Sequence, residues 1–366
     1  VAISMTRATG FALDTLRYIS GTVLRGALAN AYLDRGGDAR SPEFKALFLD
    51  GSVRFPDLYP GRSRVWPLSA RACKVHPEQH RLTDLLLATA ANEHPSPECL
   101  QCGAKRQYPV GFAAPSRRRL YGSSFTRTGM LAHTEIDPAT LRAKSGRFHS
   151  TRLIQPNQTF TGLVRAQDSV AQLLTDLVGE GLTLYLGRGK TRGQGRVGLT
   201  IYPIPPPDSV ERLAARLAEF NRQAAAKFPV LAGSLLFTCT LLSNTVALDQ
   251  WLFSRPYLLP SDIGVPDRLF QLSSWFSRMV QVSGWHAAAG LPKADVGAVA
   301  AGSAFLFSRK LQAEMTPDAL HSEYHGLAET LSLAQESGVG ERRIEGFGEV
   351  SFCDEFHTSL AAGRAE

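Results

Sequence analysis

Two short stretches of the sequence combine metal-ligating residues at a spacing that could hold an ion: Cys73-Lys-Val-His76 and Cys99-Leu-Gln-Cys102-Gly103. In each, two residues separate a pair of candidate ligands, so that one tight turn can aim both at a single metal. With 22 residues between the pairs, the two turns would together complete a tetrahedral Cys3His site for a structural zinc. Gly103 eases the second turn. The histidine is the least determined ligand, because His80 and His94 could take the place of His76. The alternative is unpaired thiols beside a surface histidine. Cys239, inside Leu-Leu-Phe-Thr-Cys-Thr-Leu-Leu, reads instead as a buried core thiol.

The second stretch with chemical potential is LGRGKTRGQGRVGL, residues 186–199, in which Arg188, Lys190, Arg192 and Arg196 alternate with glycines and no acid intervenes. Such a loop suits a phosphate. Gly189-Lys190-Thr191 resembles the end of a nucleotide-binding P-loop, but the glycine that motif needs at position 184 is a leucine. Gly193 to Gly198 does fit G-x-G-x-x-G, yet that fingerprint requires a following helix, and here a β-like run and prolines follow. An RNA backbone is the better match. Glycines admit positive φ and close approach, while Thr191, Gln194 and the four cations supply partners for phosphate oxygens. The plainer alternative is a hairpin tip with solubilising charges.

These loops need elements to hold them. Val170, Leu173, Leu174 and Leu177 recur at helical spacing after Gln167-Asp168, and Gly179 and Gly181 end that helix. A strand over 182–186, the loop, and a second strand over 196–202 follow. Pro203, Pro205, Pro206 and Pro207 then mark a boundary. The same order returns: a stripe of Leu320, Tyr324, Leu327 and Leu331 after Thr316-Pro317, then the Gly/Arg loop SGVGERRIEGFGEVSF (337–352) with Arg342 and Arg343. Gly195-Arg196-Val197 and Gly348-Glu349-Val350 fall 153 positions apart, which suggests an internal duplication. Glu341, Glu345 and Glu349 dilute the charge of the second loop. Strands are expected at 234–242 and 304–308, with a mixed segment at 267–290. Residues 18–33, YISGTVLRGALANAYL, read as strand end, turn and helix, with Arg25 off the apolar stripe and near the helix start.

Length and composition bound the rest. The chain has 366 residues, 44% of them hydrophobic and 20% charged, enough for one large or two medium cores. Five cysteines in that length do not make a disulfide scaffold, and no run of 18 apolar residues suggests a membrane span. No cationic-then-apolar leader is seen, so a reducing cytoplasm is the default expectation. A net charge of +7 says little until it is located. From Gly103 to Gln167 it is concentrated: eleven basic residues, including Arg117, Arg118 and Arg119, face only Glu135 and Asp137. Arg127, His133, Arg147 and Arg152 lie in this stretch and are candidate RNA contacts, with Tyr121, Phe125, Phe148 and Phe160 as candidate stacking platforms.

Taken together, these motifs resemble the repeat-associated mysterious proteins (RAMPs) of CRISPR systems, whose hallmark is a glycine-rich loop after the second helix of a ferredoxin-like unit. YISGTVLRGALANAYL is similar to their N-terminal helix motif, GSAFLF (302–307) and GEVSF to their later strands, and 133–162 to their central hairpin. The nearest resemblance is to the type III-D effector subunit of the Csx series, in the Cas-five group. It implies an α+β fold of two ferredoxin-like, RRM-related RAMP domains with antiparallel sheets. The first domain would be 1–203, with its loop at 187–198 and a zinc-knuckle-like insertion at about 61–120. The second would be 204–366, with its loop at 338–348. It further implies a non-catalytic subunit that holds the 5′ handle of the crRNA, beside the large polymerase-like subunit, backbone RAMP subunits and target RNA. Arg25, Lys190, Arg192 and Arg196 match the family's basic positions. The competing expectation is an endoribonuclease using His133, His149 or Asp137 in acid–base chemistry. A third is an interaction protein whose basic face meets an acidic partner.

Overall fold

The computed structural model describes residues 1–3, 7–9, 12–116, 121–204, 209–286, 290–312 and 315–362. The run Arg117 to Arg119 and Pro205 to Pro207 therefore lie outside the described residues.

The later half is built on a wholly antiparallel four-stranded sheet, in the spatial order Gln271–Phe276, Ala304–Lys310, Ser234–Leu241, Val350–Phe352. Apolar residues on both faces of the two central strands bury Phe237, Phe305 and Phe307 completely, and Phe237 stacks on Phe307 at 4.9 Å. Two helices, Val210–Lys227 and Pro317–Ser337, pack against each other and this core. Their starts follow from sequence: Ser209 and Thr316 accept hydrogen bonds from the amides of Arg212 and Ala319. Leu213, Leu217, Phe220 and Ala224 then bury one face of the first.

The earlier half gathers helices Gly21–Asp34, Pro42–Phe48 and Asp168–Val178 around Leu24, Leu28, Phe48, Phe55, Leu174 and Leu184. Its strands are short. A sheet of 7–9, 12–13, 149–154 and 128–133 carries a hairpin, Thr128–His133 with His149–Ile154. The hairpin Leu182–Tyr185 with Arg196–Leu199 presents the first glycine loop. The second of these strands ends at Leu199 rather than at 202, because its partner strand begins at Leu182 and nothing pairs beyond it. The segment 267–290 resolves into the strand 271–276 and one arm of a long hairpin, Met279–His286 with Leu291–Val299.

The segment carrying the cysteines lies against the later half. Its helix Leu86–Ala90 is part of that core, and Trp66 packs with Phe356 at 6.2 Å. Arg64 forks onto Asp354, and His357, wholly buried, sits between Asp84 at 3.0 Å and Thr240 at 2.8 Å. Among the described residues, no helix is long and apolar enough to cross a membrane.

Candidate nucleic-acid interface and metal centre

The first glycine loop is built, not frayed. Gly187, Gly189, Gly193 and Gly195 all hold positive φ. Between them Lys190–Arg192 forms a single tight turn, closed by Arg192 N–H to the Gly189 carbonyl at 2.9 Å and Gly193 N–H to the Lys190 carbonyl at 3.1 Å. Gly187 and Gly195 have no room for a Cβ, which would fall on the Ala2 and Leu186 carbonyls. The loop is bridged to the segment at Ala2 by Arg188 N–H to the Ala2 carbonyl at 3.0 Å. From this frame Arg188, Lys190, Thr191, Arg192 and Arg196 project into solvent, and Gln194 is half-buried. Among the described residues the four cations enter no ion pair or side-chain hydrogen bond. Fixed backbone with free guanidinium and ammonium groups is what phosphate recognition needs.

Basic residues of the hairpin continue from there. The Ile154 N–H donates to the Val1 carbonyl at 2.8 Å and the Val1 nitrogen to the Ile154 carbonyl at 3.0 Å, joining the segment that anchors the loop to the foot of the hairpin. Arg152 and Arg127 stand at that foot, Arg152 near Asp14 at 3.3 Å and Arg127 bonded to the Asn157 carbonyl at 2.9 Å. Six paired residues lead from there to the far end, roughly 20 Å of strand. At that end His133 stacks on His149 at 5.0 Å, and Arg147 stands 3.6 Å from Glu135. Phe125 and Phe148 are exposed beside this run, whereas Tyr121 is packed against Arg64 and Phe356 and Phe160 lies half-buried against the first core.

The second glycine loop repeats the backbone of the first and not its charge. Arg342 holds positive φ where Gly189 does, and Gly340, Gly346 and Gly348 match Gly187, Gly193 and Gly195. The turn Arg343–Glu345 matches Lys190–Arg192. Here, however, Arg342 forks onto Glu345 at 2.7 Å and lies over Phe347 at 4.9 Å, while Lys293 takes the same carboxylate at 2.8 Å. Arg343 reaches the Gly338 carbonyl at 3.4 Å. This loop docks on the start of helix Gly21–Asp34, where Thr22 donates to the Glu345 carbonyl at 2.9 Å. Arg25, on that helix, spends its Nε on the Phe48 carbonyl at 2.8 Å and is held below the usual arginine pKa by burial, against the pull of Glu345. Arg25 and Arg342 thus meet around Glu345, and with Arg343 they are committed to intramolecular partners.

The cysteine turns come together with one correction. Cys73, His80, Cys99 and Cys102 place their ligand atoms within 4.8 Å of one another. His80, not His76, completes the set. His76 lies three residues after Cys73 and gives its backbone N–H to the Cys73 sulfur at 3.3 Å; its carbonyl accepts from His80 N–H at 3.0 Å. That helical turn carries the His80 ring to 3.3 Å from the Cys99 sulfur, with the His76 ring packed on it at 4.8 Å. Cys73 and Cys102 are 3.5 Å apart. Ligands about 2.0–2.3 Å from a tetrahedral zinc stand roughly 3.5–3.8 Å from one another, so the donor set and spacing fit that ion. Gly103, at φ 69°, closes the second turn onto the Cys99 carbonyl at 2.7 Å. Desolvation raises the Cys73 thiol, but the amides of His76 and Val75 and the neighbouring Cys102 and His80 outweigh it and bring it down to about 6. Cys239 is a core thiol, pushed far up by burial.

No family model and no curated protein matches the chain. Among solved structures, it is similar to a chain of the type III-B Cmr-beta complex bound to cognate target RNA, at 11% identity, covering 90% of this chain and 88% of that one, with a TM-score of 0.38. A second structure of Cmr-beta, with cognate target RNA and AMPPnP, gives 11% identity, 89% and 90% coverage and a TM-score of 0.37. Scores this low describe a loose backbone correspondence, and the geometry of the chain itself has to carry the function.

Proposed function

We propose that this protein is a RAMP-type, RNA-binding subunit of a type III CRISPR effector, and that its first glycine loop clamps the phosphates of the guide's 5′ handle. One observation carries the reading. Two loops of the same backbone stand in one chain, and only the first leaves its cations unpaired and exposed. The strand order of the later sheet and the repeated loop support two ferredoxin-like units, with the type III-D, Cas-five-like subunit as the finer identity. In this reading the large polymerase-like subunit and backbone subunits are its neighbours. A zinc ion held by Cys73, His80, Cys99 and Cys102 fixes the inserted segment; its chemistry is structural, since all four positions are filled by protein.

The test is the salt dependence of single-stranded RNA binding. Replacing Lys190, Arg192 and Arg196 together by alanine should weaken binding and flatten the slope of log K against log salt by about 2, at roughly 0.7 per phosphate contact. An unchanged slope sinks the clamp. A second reading, endoribonuclease, draws on the stacked His133–His149 pair beside Arg147, two imidazoles placed for acid–base work on a ribose. RNA that is cut by the purified protein with EDTA present, and no longer cut by His149→Ala, would favour it over the clamp alone.

A further inference from the structure

Trp251, Leu252 and Phe253 are consecutive, and each is more than 70% exposed. They tip a turn that is rigid rather than loose. The Asp249 carboxylate accepts from the amides of Trp251 at 2.8 Å and Phe253 at 2.9 Å, and Asp249 N–H returns to the Phe253 carbonyl at 2.9 Å. Leu252 is thereby held at φ 65°, a conformation that a large side chain adopts only at a cost. The base is anchored as well: Arg255 grips the Leu248 carbonyl and Asp262, and Ser254 donates to the Gly297 carbonyl of the long hairpin at 2.9 Å. Among the described residues no hydrogen bond or ring contact uses the three side chains, and strained backbone is spent on showing them.

We propose that this tip is an anchor that inserts into an apolar socket, rimmed by basic residues, on a neighbouring protein. Its size suits an anchor: two aromatics and a leucine offer on the order of 400 Å² of apolar surface, about half of one partner's share in a stable interface. Trp is the commonest hot-spot residue, and large exposed apolar groups on a soluble protein mark contact sites. Charge chooses the occupant. The turn carries Asp249, the adjoining hollow beside Gly297 carries Asp295, and Arg255 at the base is paired with Asp262 at 2.7 Å. Carboxylates around the tip disfavour an RNA backbone and complement Lys or Arg at the rim of a protein socket. The inference stands apart from the phosphate clamp near residue 190.

The experiment places the photoreactive residue benzoylphenylalanine at position 251 of the full chain in its native cells, maps the cross-link, and repeats the co-purification with Trp251→Ser/Leu252→Asn/Phe253→Ser. Expected are a cross-link to a single protein at an apolar cleft ringed by Lys or Arg and at least a tenfold loss of that protein with the triple variant. Melting of the variant should be unchanged or slightly raised, since these side chains are largely exposed and asparagine tolerates the positive φ at 252. A cross-link to RNA, to a second copy of this chain, or to no partner overturns the proposal. So does a triple variant that retains the partner. Failure of the RNA clamp would show separately, in the salt slope.

Discussion

Gly195 and Gly348 occupy the same backbone state 153 positions apart, at φ 87° and 76°, each with the site of a Cβ pressed on the carbonyl of the residue nine places earlier, Leu186 and Val339. The Leu186 and Val339 amides in turn both donate to their glycine's carbonyl at 2.9 Å. Gly193 has the same sign of φ but open space around it. Alanine at 348 or 195 therefore meets both strain and collision, and alanine at 193 meets strain alone. Expected costs are about 3 kcal/mol for Gly348→Ala and Gly195→Ala, and about 1 kcal/mol for Gly193→Ala, read from urea unfolding midpoints.

The two loops separate charge from backbone, so their arginines should fail differently. Arg192→Ala removes an unpaired cation: stability should hold within about 0.5 kcal/mol while the RNA salt slope drops by about 0.7. Arg342→Ala removes the partner of Glu345 and the cation over Phe347, so about 1 kcal/mol of stability should go with no change of slope. Anisotropy titrations at several salt concentrations, beside urea melts, check both.

What the sequence revealed follows from how local each constraint is. The loops at 187–198 and 338–348 were legible because positive φ at 187, 193, 195 and their counterparts calls for glycine, and that requirement is written position by position. The metal set was legible to within one ligand: spacing fixes the first ligand of a turn, but whether residue 76 or 80 turns inward depends on a backbone hydrogen bond from His76 to sulfur. The hairpin 279–299 was missed because Leu291–Val299 is mostly exposed along its first half and shows no alternation to read. Trp251, Leu252 and Phe253 carry no sign of their exposure in the sequence, since exposure is set by the turn that Asp249 imposes. Asp84 and His357 meet across 273 residues, and no local pattern announces such a contact.

The candidate metal site predicts a sharp contrast between neighbouring histidines. Cys73→Ser and His80→Ala should lose the metal, measured by atomic absorption of purified protein, and lower the melting temperature. His76→Ala should retain about one equivalent, because only its backbone faces the sulfur. Zinc lost equally from both histidine variants would refute the assignment.

Asp57 makes stability depend on pH. Its carboxyl accepts from Gly21 N–H at 2.9 Å, at the start of the first helix, yet burial, with Glu349 nearby, outweighs that bond and raises it to about 7. The folded state thus binds this proton more tightly than the unfolded chain, where a carboxyl titrates near 3.8. Its contribution is fully present below about pH 4 and is lost as pH climbs to about 7, a swing on the order of 2–4 kcal/mol. Asp57→Asn keeps an acceptor for Gly21 and abolishes the ionisation. Thermal melts from pH 5 to 8 should show the variant gaining on the wild type as pH rises, with the difference levelling off above 7.

His357 is the peg between the cysteine-bearing segment and the later core. It is wholly buried between Thr240 and Asp84, and Asp84 also accepts from Leu86 N–H at 3.3 Å, beside the strand that leads to Cys73. His357→Ala strands a buried carboxylate and opens a cavity, at an expected cost on the order of 3–4 kcal/mol. Asp84→Asn leaves a hydrogen-bonding amide facing the ring and should cost about 1–2 kcal/mol. Adding Asp84→Asn to His357→Ala should then cost almost nothing further, because the stranded charge is gone. Urea melts of the two single variants and the double variant close the cycle. Strict additivity would mean that the imidazole and the carboxylate do not interact, and that the segment is held by the Trp66–Phe356 packing and the Arg64–Asp354 fork instead.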